Sequence, residues 1–281
     1  GTNGAQNNTF VDSSTNNFTI TRNGNTTQGS FSPYGSNWSN YFLSSASSYL
    51  NFGNQTALHL GSGNYTVEMW VYKNSNTAYM VACGDLLANT TNTFQIVGDA
   101  TGSKIAWYDG LGGAFTITST TSIPIGTWTH IAFVRNSTTL TLYINGVSDV
   151  STTYTRDLNA TTSFFVGQTP ELLSNRYWDG YISNFRVVKG TAVYTSNFTP
   201  STTPLTAITN TSLLTCQSNR FIDNSANNFT ATIGGTPSVQ RFNPFGTATA
   251  YSTSVIGGSG YFDGSGDYLV TSGTGSFNLR S

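Results

Sequence analysis

Tyr65-Thr-Val-Glu-Met-Trp-Val-Tyr72 alternates with a period of two. Tyr65, Val67, Met69 and Val71 fall on one face, and Glu68, Trp70 and Tyr72 on the other, because successive side chains of an extended chain point to opposite sides. Both faces carry large apolar groups. That is the pattern of a strand covered on both sides, as inside a sandwich of two sheets.

The same reading extends outward. Trp128-Thr-His-Ile-Ala-Phe-Val-Arg135 and Leu140-Thr-Leu-Tyr-Ile144 flank the polar turn Asn136-Ser-Thr-Thr139. Leu140, Leu142 and Ile144 share one face. Asn145-Gly146 follows, the dipeptide that best tolerates the two positive φ angles of a type I′ hairpin turn. Phe164-Phe-Val-Gly167 and Gly180-Tyr-Ile-Ser-Asn-Phe-Arg-Val-Val188 supply further strands. No window of about 12 residues keeps the i, i+3, i+4, i+7 spacing of an amphipathic helix. Short strands at regular spacing, with Gly and Asn at the turns, predict an all-β, two-sheet antiparallel jelly-roll sandwich.

The 281 residues are 37% hydrophobic and 14% aromatic, enough for a sizeable core. Only 8% are charged, against about 25% in ordinary soluble domains. Asn, Thr, Ser and Gly must therefore make the surface. A net charge of -1 provides no electrostatic attraction to nucleic acid or to an anionic membrane. No apolar run is long enough to span a bilayer, and no basic segment leads into an apolar one as in a signal peptide. The Asn-x-Ser/Thr sequons at Asn17, Asn37, Asn64, Asn136 and Asn197 are what chance supplies in a chain this rich in Asn and Thr.

The chain also repeats itself. Residues 10–20, FVDSSTNNFTI, return as residues 221–231, FIDNSANNFTA, at an offset of 211. The offset holds through Phe31-Ser-Pro-Tyr-Gly35 against Phe242-Asn-Pro-Phe-Gly246. It drifts to 219 where Tyr49-Leu50 meets Tyr268-Leu269. Such a period is too long for a solenoid and indicates a string of domains. Residues 5–207 are expected to form one complete domain. Residues 210–281 are expected to be the opening third of a second, docked on the first or on a neighbouring chain. The apolar residues Phe221, Phe229, Phe242, Tyr261, Phe262, Tyr268 and Leu269 of that segment need a cover. Of the two cysteines, Cys83 lies in the first unit. Cys216 has Ala5 as its counterpart, so a disulfide belonging to the repeated fold is not expected.

Residues 65–72, 126–147 (GTWTHIAFVRNSTTLTLYINGV) and 178–200 (WDGYISNFRVVKGTAVYTSNFTP) resemble the concanavalin A-like lectin/glucanase superfamily in its laminin-G-like form. Residues 213–245 are also similar to the repeat start in structural and tail-fibre-like proteins of marine bacteriophages. The resemblance implies a sandwich whose inner sheet and edge loops serve as the ligand surface in relatives that bind glycans.

The glycosidases of that superfamily carry Glu-x-Asp-x-Glu on a strand. Hydrolysis needs two carboxylates facing the scissile bond, yet Glu68 and Glu171 are the only glutamates and neither has an acid two positions away. Glu68 is expected to accept hydrogen bonds as a structural group. His59 and His130 have no nucleophile elbow or metal cluster to serve. No catalytic residue is assigned, and no cofactor beyond calcium. The resemblance implies rim calcium sites, and calcium takes six to eight oxygens; Asp85, Asp99 and Asp109, with Asn89 or Asn92, could supply some. For glycan stacking, Trp107, Tyr108 and Asp109 stand before a Gly-rich turn, and Arg176 and Trp178 form a second cluster.

The expected function is that of a non-enzymatic virion structural or adhesion protein, a segment of a phage fibre or surface decoration. It would sit at the virion surface or outside the cell. Its partners would be other copies of itself, other virion proteins and cell-surface glycans. A secreted carbohydrate-binding lectin domain is the alternative, and a jelly-roll glycosidase a remote third.

Overall fold

The computed structural model describes residues 18–23, 37–76, 80–84, 92–99, 101–109, 114–159, 162–167, 177–245 and 268–272. Among them are seventeen strands. In chain order they are β1 (Thr19–Asn23), β2 (Ser39–Phe42), β3 (Tyr49–Asn51), β4 (Tyr65–Lys73), β5 (Met80–Gly84) and β6 (Gln95–Gly98). Next come β7 (Ile105–Tyr108), β8 (Ile117–Thr118), β9 (Thr129–Asn136), β10 (Thr139–Ile144), β11 (Val147–Thr153) and β12 (Phe164–Val166). The last are β13 (Gly180–Lys189), β14 (Thr211–Thr215), β15 (Thr232–Gly234), β16 (Ser238–Gln240) and β17 (Tyr268–Ser272).

Two antiparallel sheets form the sandwich that the alternation predicts. The larger, of eight strands, runs β11-β10-β9-β4-β13-β2-β16, with β14 also pairing β13. The smaller, of seven, runs β15-β3-β12-β5-β6-β7-β8. β1 and β17 pair apart from both. The turn chemistry read from Asn145-Gly146 is realised: φ is 49° and 79°, and the two residues join β10 to β11. A side chain on Gly146 would sit 1.9 Å from the Phe198 carbonyl oxygen, so the turn also needs glycine for want of space.

The core lies between the sheets. β4 contributes Tyr65, Val67, Met69 and Val71, and β9 contributes Ile131 and Phe133. They meet Phe94, just before β6, and Trp107, Phe164 and Val166 of the smaller sheet. Trp107 is wholly buried. Its ring stacks on Phe94 at 4.3 Å and on Tyr65 at 5.7 Å, and its indole nitrogen donates to the Tyr154 hydroxyl at 3.3 Å. Leu213, Cys216, Phe221 and Ala231 belong to this same core. The residues expected to open a second domain therefore have β14 and β16 in the larger sheet and β15 in the smaller. Cys216 is a free thiol, and burial pushes its pKa up. The side chain of Cys83 lies outside the described residues.

The outer face of the larger sheet is covered as well, by two chain segments. Thr66, Glu68, Ala132, Val134 and Tyr143 lie beneath residues 191–206, where Tyr194 and Phe198 pack on them. Trp70, Tyr72 and Tyr181 meet Phe242 and Phe245 of the segment that follows β16.

Candidate functional site

Where those two covering segments approach each other they leave an open cleft of about 510 Å³. Trp70 of β4 and Trp128, at the start of β9, form its floor. Pro200, Ser201 and Thr202 make one wall, Pro244 and Phe245 the other, and Asn145 closes one end. The local sequence explains each placement. Trp70 and Tyr72 sit on the face of β4 opposite Val67, Met69 and Val71, so they must point away from the core. Asn145 is held by the hairpin turn: its Oδ1 accepts the His130 backbone N–H at 2.9 Å, leaving its NH2 group free to donate.

The aromatic surface extends from the cleft across the sheet. Tyr72 lies 5.6 Å from Trp128 and 4.8 Å from Phe242, ring centre to ring centre. Tyr181 continues the row at 5.0 Å from Phe242, and Tyr41 lies 4.8 Å beyond it. Trp70, Tyr72, Trp128 and Tyr181 are half-buried, and Phe242 is exposed. The indole N–H groups of Trp70 and Trp128 find no partner within the protein. Both nitrogens are buried, and an orphaned buried donor costs about 1–3 kcal/mol. Half-buried rings with a few polar groups at the margin suit a ligand that has an apolar face and hydroxyls at its edge.

A polar cluster stands beside the cleft, under the other covering segment. Glu68 is inaccessible to solvent. It accepts hydrogen bonds from Arg186 Nε at 2.8 Å, from Arg186 Nη2, from the Tyr194 hydroxyl at 2.7 Å and from His130 Nε2 at 3.2 Å. Arg186 also donates Nη1 to the Thr206 carbonyl at 2.8 Å. Burial pushes the Glu68 carboxyl upward. The His130 hydrogen bond, the Arg186 charge and the Tyr194 hydroxyl outweigh it and hold the group below its ordinary value. This matches the acceptor role expected of Glu68: a tyrosine hydroxyl is among its donors, as expected, and the Arg186 and His130 side chains stand where backbone N–H groups were expected.

The glycan positions expected from sequence are not brought together as a surface. Trp107 has no free ring face, being sandwiched in the core. Trp178 is 1% exposed and equally unavailable for stacking. Both are corrections with one cause: each ring points between the sheets rather than away from them. Asp109 is buried, 3.6 Å from Arg156 Nε. Tyr108 is half-buried and packs edge-on against Phe115 at 6.2 Å. Arg176 lies outside the described residues, as do Asp85 and Asn89 of the expected calcium set. Asp99 is taken up by its own loop: one carboxylate oxygen accepts from the Ser103 and Lys104 backbone N–H groups and both accept from the Thr101 hydroxyl. Asp99 and Asp109 do not converge, and among the described residues no three His, Cys, Asp or Glu side chains are grouped to hold a metal. Sequence reasoning missed Trp70 and Trp128. The usable signal was the position of Trp70 on the face of β4 opposite the aliphatic residues.

Two stacked antiparallel sheets define a jelly-roll sandwich. The chain belongs to the concanavalin A-like lectin/glucanases superfamily, whose laminin-G family model matches residues 43–193. No curated protein matches the sequence. The chain is also similar, at low identity, to a number of solved structures. One is a Bacteroides ovatus ATCC 8483 protein provisionally described as carbohydrate binding: 12% identity, TM-score 0.47, covering 72% of this chain and 59% of that one. Domains LG4-5 of the mouse laminin alpha1 chain give 13% identity and TM-score 0.41, covering 53% and 40%. A heptameric SAP-like pentraxin from Limulus polyphemus gives 13% identity and TM-score 0.45, covering 71% and 95%. The chain thus spans less than two thirds of the first two structures.

Proposed function

We propose that this protein is a non-enzymatic glycan-contacting module, and that the cleft floored by Trp70 and Trp128 is where the sugar lies. The observation that carries this is the pairing of two half-buried indoles with free polar groups at the rim, in a fold of the lectin superfamily. The C–H face of a pyranose suits the negative face of an indole. The Asn145 amide and the Thr202 hydroxyl can meet the equatorial hydroxyls. A non-catalytic reading is supported by Glu68, whose carboxylate is buried and fully engaged.

The setting we infer is a repeated array of such modules in a phage fibre or surface-decoration protein, at the virion surface. The 211-residue repeat and the nearly uncharged surface support it. A secreted lectin domain is the second reading, favoured by the same cleft. A glycan array followed by calorimetry tests the sugar role. Trp70→Ala and Trp128→Ala should each weaken binding by roughly tenfold or more, since losing one ring face removes on the order of 1.5 kcal/mol. Unchanged affinity in both variants, or no binding of the intact protein to any glycan, would sink it.

A further inference from the structure

The two strand pairs made by the repeated sequence are the same pair formed twice. β15 runs against β3 with Thr232 opposite Asn51, Ile233 opposite Leu50 and Gly234 opposite Tyr49. The sequence repeat equates Thr232-Ile-Gly234 with Thr21-Arg-Asn23, and Tyr49-Leu-Asn51 with Tyr268-Leu-Val270. β1 runs against β17 with Thr21 opposite Val270, Arg22 opposite Leu269 and Asn23 opposite Tyr268. Every partner in one pair has its counterpart in the other, in the same register. A slip of one residue would turn each side chain to the wrong face, so two separate matches in one register point to a single designed interaction.

The repeated motif itself shows what the donor segment does. Asp223 accepts hydrogen bonds from the Leu214 N–H at 3.0 Å, the Ser225 N–H and hydroxyl at 2.8 Å each, and the Phe229 N–H at 3.0 Å. This knot drives Phe221 into the core of the sandwich, where it is 1% exposed. Phe10, Asp12, Ser14 and Phe18 are the counterparts of Phe221, Asp223, Ser225 and Phe229.

We propose that the folded unit is out of phase with the sequence repeat, and that the opening segment of each repeat is the strand donor that completes the sandwich before it. The sandwich begins near Ser39 and closes with residues 211–245. Thr19–Asn23 is then the donor strand of a different unit of the same kind, and its acceptor edge is of the Tyr268–Ser272 type. Successive sequence repeats are thus joined by strand addition, in which backbone hydrogen bonds give strength and side-chain fit gives register. The donor also brings Pro244 and Phe245, so each unit's aromatic cleft is complete only after the next repeat has begun.

The test uses the full chain. Thr232→Cys with Asn51→Cys, and separately Thr21→Cys with Val270→Cys, place thiols on equivalent partners. Both pairs should form disulfides on mild oxidation, within one chain or between two, as mapped by mass spectrometry. The shifted pair Thr21→Cys with Tyr268→Cys should not. Failure of the 21–270 pair, or equal yield from the shifted pair, overturns the equivalence. Phe221→Ala, which needs no new disulfide, is read alongside. It should lower the one thermal transition of the sandwich by roughly 10 °C. A separate early transition for residues 211–245, with the main one unmoved, would overturn the donor role.

Discussion

Glu68→Gln isolates what the polar cluster beneath residues 191–206 contributes. The substitution keeps the volume of the side chain and removes its charge. Arg186 is 5% exposed, and its guanidinium would be left in the protein with a neutral amide and the Thr206 carbonyl for company. Removing one member of a buried ion pair costs about 3–5 kcal/mol, because the other charge stays desolvated and uncompensated. For a sandwich of this size each kcal/mol moves Tm by about 2–4 °C. The expected loss is therefore roughly 6–20 °C, read by thermal melting at neutral pH. Adding Arg186→Met removes the stranded charge and should return part of the loss. If the double variant is destabilised by the sum of the two single changes, the residues do not act as a pair and the account fails.

Trp107→Ala should destabilise the fold by about 3–5 kcal/mol through the cavity it leaves, seen as a lower denaturation midpoint. The folded fraction should keep its glycan affinity, in contrast to Trp70→Ala. Acid should weaken the sandwich in a defined window. The Glu68 carboxyl is held below its ordinary value near 4.5 in the folded state. Its contribution is thus complete above about pH 4.5 and is lost as pH falls through the folded value. Denaturation midpoints measured from pH 6 to pH 3 should fall below that point, and the fall should shrink in Glu68→Gln.

The fold was legible because its signals are local. Alternation in Tyr65–Tyr72 and the Asn145-Gly146 turn need only neighbours in sequence, and both appear as read. Glu68 was read as an acceptor from its place in a strand, although nothing local shows that its donors come from residues 130, 186 and 194. The glycan residues were misplaced for a related reason. Trp107 lies in Ala106-Trp-Tyr-Asp109 beside a Gly-rich stretch, which suggests a loop. In the fold it is, with Ile105, a core-facing residue of β7, and Tyr108 is turned outward.

Whether a tryptophan on this scaffold can meet a ligand depends on what crosses its face of the sheet. Trp70 and Glu68 point to the same side of β4, two residues apart. Glu68 is sealed because the chain from Thr191 to Thr206 passes over it, anchored by the Thr66 hydroxyl on the Thr191 carbonyl at 3.1 Å and by Arg186 on Thr206. Trp70 stays half-open because that segment only walls its cleft, through Pro200, Ser201 and Thr202, with Pro244 and Phe245 on the other side. The gap between two distant segments makes the cleft, and the second segment belongs to the strand donor. On the proposed reading, sugar contact and the joining of repeats depend on one segment, which carries both the donor strand Thr232–Gly234 and the cleft wall Pro244-Phe245. A change that loosens the donor, such as crowding Gly234 against the Tyr49 ring 2.1 Å from where a Cβ would stand, should weaken sugar binding without touching either indole.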